Sequence, residues 1–153
     1  MTTTNVKPRL LNIHVLGVPR PQGSMKAHVL PNGKVAMRYP PAVFEWRRTI
    51  QQAVAELEES PIHGAVRLRL GFDLPRPIDH FLPVNSKRSV PEVNPSAPAH
   101  PTVAPDLDKL VRAICDAITD TGLWRDDSQV VMITAAKRYS SPPGVHIAIE
   151  ELP

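Results

Sequence analysis

Cysteine, aromatic residues and long apolar runs are all scarce in this sequence. Cys115 is the only cysteine, so no disulfide framework or cysteine-based zinc cluster is available, and a reducing interior suits it. No run approaches the roughly 18 apolar residues of a membrane helix. The segment from Met1 to Asn5 is polar and lacks the apolar core of a secretory signal. We therefore expect a soluble protein of the cytoplasm.

Length and composition favour one globular domain over residues 1–153. The chain is 42% hydrophobic and 22% charged, which is enough for a core of its own. We expect residues 1–9 to be a flexible N-terminus and residues 75–105 to be a Pro-rich loop. The formal net charge of +3 and the pI of about 9.3 favour an anionic partner without proving one.

Hydrophobic periodicity predicts an α+β domain, in which a mixed sheet carries two helices. Asn32-Gly33 between two short apolar runs predicts a tight hairpin turn. Trp46 lies in register with an aliphatic helical stripe and is expected to anchor the core. The predicted elements are a strand at Leu11–Val15, the hairpin, a helix at Val43–Leu57, a strand at Val66–Leu74, a helix at Leu107–Ile118, and strands at Gln129–Lys137 and Val145–Ile149.

The segment from Pro75 to Pro105 holds eight of the 18 prolines. That many prolines exclude a central strand or a regular helix. A structureless connection of this length is usually either functional or disordered. We expect a mobile, substrate-facing loop with Lys87 and Arg88 as phosphate contacts, and a partly disordered insertion is the alternative. His80 and His100 lack neighbouring ligands at the spacings of zinc sites.

Two acidic clusters flank the second predicted helix. Asp106 and Asp108 stand at its start, and Gly122 is a plausible stop. Asp126-Asp127 then opens the alternating run of the next strand, so a carboxylate on that strand is expected to face the start of the helix. Asp106 and Asp108 share one face if the segment is extended, and they diverge if the helix has already begun.

Converging carboxylates repel one another unless a cation lies between them, and oxygen ligands favour Mg²⁺. Arg112 is four residues from both Asp108 and Asp116, so it can reach a carboxylate or a bound phosphate. This combination is typical of a nuclease site. In the alternative interpretation, the acidic residues stabilise the helix dipole, form a turn at Asp126-Asp127, and build a surface ion-pair ladder.

One pattern favours the nuclease interpretation over the structural one. The run PDLDKLVRAICDAI followed by DDSQVV closely resembles the signature of RusA-like Holliday-junction resolvases. Members of this group are common in phages and prophages, and their core reads approximately D-x-D-N-L-x-K, then D-A, then D-D-x-Q-V. The resemblance extends from about Leu11 to Ile149 and includes the Trp-bearing helix, the alternating strand and Lys137. It also includes a loop that matches Gly17, Pro19, Pro21, Gly23 and Lys26.

The resemblance implies an endodeoxyribonuclease of the bacterial host cell that resolves Holliday junctions, with Mg²⁺ as cofactor and Mn²⁺ as a substitute. Asp106, Asp108 and Asp127 correspond to the metal-binding aspartates, and Asp116 and Asp126 would be supporting residues. The family's Asn is Lys109 here and its Lys is Arg112. Arginine keeps the positive charge but does not exchange protons near neutral pH, so we expect Arg112 to act on the phosphate electrostatically.

A four-way junction has approximate two-fold symmetry, so paired nicks suit a two-fold homodimer, which the resemblance also implies. Two other functions use the same residues, namely non-catalytic binding of branched DNA and a metal-dependent nuclease or phosphatase acting on other nucleic acid substrates. Basic residues expected to contact DNA are Arg20, Lys26, Lys87, Arg88, Lys109 and Lys137.

Overall fold

The computed structural model describes residues 8–23 and 25–153, so the predicted flexible N-terminus lies almost entirely outside the described residues. A four-stranded mixed sheet and two helices confirm the predicted α+β class, and the predicted hairpin forms a second small sheet. The elements are β1 Leu10–Leu16, β2 Lys26–Val29, β3 Val35–Arg38, α1 Pro41–Ala55, β4 Val66–Leu74, α2 Leu107–Thr121, β5 Val130–Tyr139 and β6 Gly144–Glu151. No helix within the described residues is long and apolar enough to span a membrane.

The strands of the main sheet run in the order β1-β6-β4-β5. β4 and β5 are parallel, and the other pairs are antiparallel. Parallel strands require a long crossover connection, which here contains the Pro-rich segment and α2. The acidic motif at the start of α2 therefore lies in the crossover that connects the parallel strands β4 and β5.

Successive side chains of strand β4 point to opposite faces of the sheet. Its core side chains, including Leu68 and Phe72, are fully buried. Arg67 and Arg69 point to the other face, where Arg67 donates to Glu150 at 3.1 Å. The two helices contribute their apolar stripes to the core on the first face, and the second face, called here the outer face, carries polar residues.

Helix α1 begins with Pro41, whose fixed φ suits the first turn. Its buried residues recur every three or four positions, and Trp46 is only 4% exposed, which confirms it as a core anchor. Gly17 approaches this ring so closely that an added Cβ would lie 3.0 Å from Trp46, and its φ of +137° is one that other residues rarely adopt. A glycine is therefore required where β1 leaves the sheet.

The hairpin prediction at Asn32-Gly33 is confirmed. Gly33 has a φ of +78°, and the Leu30 amide donates to the Lys34 carbonyl at 2.7 Å. The Gly33 amide also donates to the Leu30 carbonyl at 2.8 Å, so a turn at Pro31-Asn32 followed by a glycine with positive φ closes the hairpin.

The expectation of a structureless connection before α2 is wrong in part. A short 3₁₀ turn forms at Ile78–His80, and isolated bridges join Phe81 to Val93 and Asn85 to Arg88. His80 packs edge-on against Tyr139 at 5.4 Å between ring centroids. Asparagine and backbone hydrogen bonds give the segment local order that its proline content alone did not predict.

Candidate active site

The start of α2 separates the first two candidate aspartates. Asp106 is the extended N-cap residue with ψ at 136°, while Asp108 already lies in the first helical turn. Their side chains therefore diverge, as expected where the helix begins between them. The Lys109 ammonium contacts the Asp106 carboxylate at 2.9 Å. This contact lowers the pKa of Asp106 and raises the pKa of Lys109.

The second acidic cluster lies in a turn and not on a strand. Gly122 ends α2 in the left-handed conformation, which confirms the predicted stop. Asp126 then caps a 3₁₀ turn at Asp127–Gln129, and β5 begins only at Val130, so the prediction that Asp126-Asp127 opens the strand is wrong. Hydrogen bonding from Ser128, whose amide donates at 2.8 Å, holds the pKa of Asp126 below its usual value.

Gln129 fixes this acidic turn to the body of the protein. Its side-chain oxygen accepts from the Arg125 amide at 2.8 Å. Its amide nitrogen donates to the carbonyls of Ile62 and Gly64 at 2.9 and 3.1 Å. The Gln of the DDSQ pattern thus has a physical role, because its side chain connects the start of the acidic turn to the segment at Ile62 and Gly64.

The Asp127 carboxylate lies close to other negative charges. Partial burial raises its pKa first, and the neighbouring charges of Asp126 and Asp116 raise it further. Burial together with the charges of Asp127 and Asp116 also raises the pKa of the Cys115 thiol to about 11. The charge of Asp127 therefore interacts with that of Asp116 in the middle of α2.

The loop after β1 completes the site, and sequence reasoning missed its central residue. Gln22 is 1% exposed, and its amide nitrogen donates a hydrogen bond to the Asp116 carboxylate. Its side-chain oxygen accepts from Arg47 at 3.2 Å, and its backbone amide donates to the Lys109 carbonyl at 3.0 Å. In the sequence Gln22 is a lone amide in a loop of prolines, glycine and basic residues, and no local pattern distinguishes it.

Arg112 takes the position that its spacing predicted. Its Nε lies 3.9 Å from the Asp116 carboxylate, and its side chain remains 56% exposed. A second arginine, Arg47, forms an ion pair with Asp120 one helical turn further along α2. Arg112 is thus a loosely held guanidinium on the same surface as the acidic residues, open to an incoming anion.

The other basic residues that are expected to contact DNA fall into two groups, those held by contacts within the protein and those with exposed side chains. Lys137 donates to the carbonyls of Val103 and Pro105, both at 2.8 Å, and so holds the backbone that leads into Asp106. Arg88 bonds to Glu92 at 3.1 Å. Lys109 is held by Asp106, as described above. The side chains of the remaining candidates are exposed, namely Arg20, Lys26 and Lys87.

The carboxylates differ in how well they suit a divalent cation. Among the described residues, the ligand atoms of Asp106, Asp108 and Asp127 do not all lie within 4.8 Å of one another. Their chemistry nevertheless fits a hard cation, since the donors are all oxygen and Asp127 carries the repulsion that a cation relieves. The Lys109 ammonium competes with a cation at Asp106, which it contacts at 2.9 Å.

Two comparisons relate the sequence of this chain to known proteins. The family model described as Endodeoxyribonuclease RusA matches residues 18–150. The chain is also similar to the uncharacterized protein YqaN of Bacillus subtilis (strain 168), at 30% identity over 134 residues and 87% of each chain. The matched region contains the Gln22 loop, α2 and the DDSQ turn. The chain therefore belongs to the RusA family of endodeoxyribonucleases, which act as Holliday-junction resolvases.

Proposed function

We propose that this enzyme resolves four-way DNA junctions by paired nicks that depend on Mg²⁺, with Mn²⁺ as a substitute. Asp106, Asp108 and Asp127 would hold the ion, and Asp116 and Asp126 would support it. The observation that carries the proposal is the crowding of Asp127, whose pKa is raised by burial, Asp126 and Asp116. Retaining such repulsion on a surface turn is costly, and a divalent cation converts it into binding energy.

The residues of the chain prepare the site before any substrate binds. Gln129 and the Asp126 cap hold the turn that presents Asp127. Gln22 orients Asp116 through a direct hydrogen bond. A bound Mg²⁺ supplies positive charge and water activation for phosphodiester hydrolysis. Arg112 would contribute a second positive charge to the phosphate as negative charge accumulates on it.

Contacts with the DNA backbone would surround this site. Arg20, Lys26 and Lys87 are exposed and able to meet phosphates directly. Lys109 and Arg88 already hold carboxylates in the free protein, so they would have to exchange partners on binding. Lys137 would act mainly by holding the backbone before Asp106 in place, because both of its contacts are to carbonyls there.

The proposal treats residues 1–153 as one endonuclease domain that works as a homodimer in the bacterial cytoplasm, where its DNA substrate is found. Support for a dimer comes from β5, an edge strand on which Val131, Met132 and Ile133 are 59%, 48% and 49% exposed. Apolar side chains on a free edge favour pairing with a second chain. Sedimentation velocity would measure the mass, and a monomer at all concentrations would contradict this part.

One observation favours a second candidate function, which is binding of branched DNA without cleavage. The Lys109 ammonium lies 2.9 Å from Asp106 in the position where the family has Asn. A cation tethered to the chain can neutralise a carboxylate without activating water. Cleavage of a junction by the wild-type enzyme would eliminate this candidate.

The site assignment is tested by replacing Asp108 and Asp127 singly with Asn, which removes the charge and keeps the shape. We expect each variant to lose Mg²⁺-dependent cleavage of a synthetic four-way junction by on the order of 100-fold or more. Binding of the junction, measured by gel shift in Ca²⁺, should be retained, because the lost groups contact the ion and not the DNA.

The matched control is Asp79→Asn. Asp79 is an exposed aspartate in the 3₁₀ turn of the Pro-rich segment, so the control makes the same change of charge outside the site. It should cleave at the wild-type rate. Wild-type cleavage by either Asp108→Asn or Asp127→Asn would remove that residue from the site.

A further inference from the structure

Three potential metal ligands meet on the outer face of the sheet, away from the helices. His14 on β1 pairs directly with His146 on β6. Asp73 lies on β4, the next strand across, and it belongs to the outer face because it follows the buried Phe72. Residues 14, 73 and 146 are far apart in sequence, so no spacing pattern reveals the cluster. The antiparallel register of β1, β6 and β4 brings it together.

The distances within this cluster suit a first-row transition metal. One ligand atom from each residue lies within 4.8 Å of the other two. The His146 Nε2 lies 3.0 Å from the Asp73 Oδ2. Two ligand atoms on a tetrahedral zinc ion are about 3.4 Å apart, because the metal–ligand bonds are about 2.0–2.2 Å long. A small opening of the pair is therefore enough to admit an ion.

The surroundings hold the carboxylate as an anchored ligand. The Asp73 side chain is only 5% exposed, and its Oδ1 accepts from the Arg138 Nε at 2.6 Å. This bond leaves Oδ2 directed to the histidine side. Ligating carboxylates in metal sites are commonly fixed by such a second hydrogen bond. Burial raises the pKa of Asp73, but the bonds from Arg138 and His146 outweigh it and keep the pKa below its usual value.

The histidines leave the site open to solvent. The His146 side chain is 49% exposed, and its ring stacks on His14 with centroids 3.9 Å apart. Beside the rings lies a groove of about 470 Å³, whose lining includes the small residues Gly71 and Ala136. Two imidazoles and one carboxylate provide three protein ligands, and the groove provides room for a water or an exogenous ligand in the fourth position.

We propose that His14, Asp73 and His146 form a second metal site that binds a divalent transition-metal ion of the Zn²⁺ type. The nitrogen ligands distinguish this site from the carboxylates of α2, since imidazole favours Zn²⁺ and an all-oxygen set favours Mg²⁺. The two sites lie on opposite faces of the sheet. On β5, Arg138 faces Asp73, whereas the adjacent Lys137 points to the other side and holds the backbone before Asp106.

The test uses untagged, metal-free protein titrated with Zn²⁺ against a chromogenic chelator, with excess Mg²⁺ present to occupy the carboxylates. We expect about one Zn²⁺ per chain from the three-ligand set. His14→Ala should weaken this binding by at least about tenfold. This variant is structurally conservative, because His14 is exposed and its side chain forms no hydrogen bond within residues 8–23 and 25–153.

Two controls make the outcome specific. His100→Ala removes an exposed histidine elsewhere and should bind Zn²⁺ like the wild type. Asp127→Asn should also bind like the wild type, so failure of the proposed Mg²⁺ site would not affect this result. Co²⁺ gives a second readout, since imidazole ligation produces visible absorption that His14→Ala should change. Equal Zn²⁺ affinity and equal Co²⁺ spectra for His14→Ala and the wild type would overturn the site.

Discussion

At the scale of single residues, the acidic motif combines carboxylates that have opposite electrostatic surroundings. Asp106 is stabilised as an anion by Lys109, and Asp126 by the Ser128 amide. Asp127 directly follows Asp126 in the sequence, and its anion is destabilised by partial burial and by the charges of Asp126 and Asp116. Lys109 stands where the motif that this sequence resembles has Asn. The consequence for the enzyme is a competitor for the cation at one of its three proposed ligands.

Replacing Lys109 with Asn is therefore expected to lower the Mg²⁺ concentration that gives half-maximal junction cleavage. Both side chains of the pair are about half exposed, 48% and 56%, so the contact is weak. Because exposed ion pairs are weak, we expect a gain of only roughly two- to fivefold. The measurement is a Mg²⁺ titration of the cleavage rate.

Lys34→Asn is the matched control, because Lys34 is an exposed lysine in the turn of the hairpin. It should leave the Mg²⁺ requirement unchanged. A higher Mg²⁺ requirement for Lys109→Asn would show instead that Lys109 assists the site.

At the scale of elements, the sequence predicts well those helices and strands that depend on a local pattern of apolar residues. The apolar residues Leu107, Leu110 and Ile114, three and then four positions apart, predict α2. Gly122 marks its end. Strict alternation predicts β4. The pattern predicts that a strand opens at Asp126-Asp127, whereas the structure has a 3₁₀ turn at Asp127–Gln129, because side-chain contacts with residues more than 60 positions away order this turn. Periodicity carries no information about such contacts.

That turn provides a stability test through Gln129→Ala. The variant loses donors to the carbonyls of Ile62 and Gly64 and an acceptor for the Arg125 amide. We expect the free energy of unfolding to fall by about 1–3 kcal/mol, because backbone groups that are partly buried are left without partners. Urea denaturation followed by tryptophan fluorescence measures it.

The comparison is with Gln52→Ala on the surface of α1. Gln52 makes one exposed hydrogen bond to Glu56, at 3.2 Å. Its loss should change stability by less than about 0.5 kcal/mol. Equal stability of Gln129→Ala and Gln52→Ala would mean that Gln129 does not hold the acidic turn.

At the scale of the whole molecule, one sheet separates two chemistries. The helix-covered face forms the core and supports the acidic surface of α2, while the outer face brings His14, Asp73 and His146 together. The resemblance to the family identified the acidic surface of α2, because its motifs are contiguous in the sequence. Strand register forms the cluster on the outer face. No sequence pattern predicts this cluster, because the β1-β6-β4 pairing joins residues that are far apart in the chain.

The parallel pairing of β4 with β5 explains why these faces have fixed positions relative to each other. The pairing spans Val66 to Leu74 on one strand and Val130 to Tyr139 on the other, with one irregularity near Val66. Alternation along β5 then sends Lys137 toward α2 and Arg138 toward Asp73. Adjacent residues on one strand thus support the two proposed metal sites separately.

The most direct test of the central claim is cleavage of a synthetic four-way junction by the purified wild-type protein, compared with duplex, single-stranded DNA and free nucleotide. We expect cleavage with Mg²⁺ or Mn²⁺, none in EDTA, and a rate on the junction at least about tenfold above the other substrates, with nicks paired in opposing strands. Preferred cleavage of single strands or nucleotides, or junction binding without cleavage under any of these metal conditions, would contradict the account.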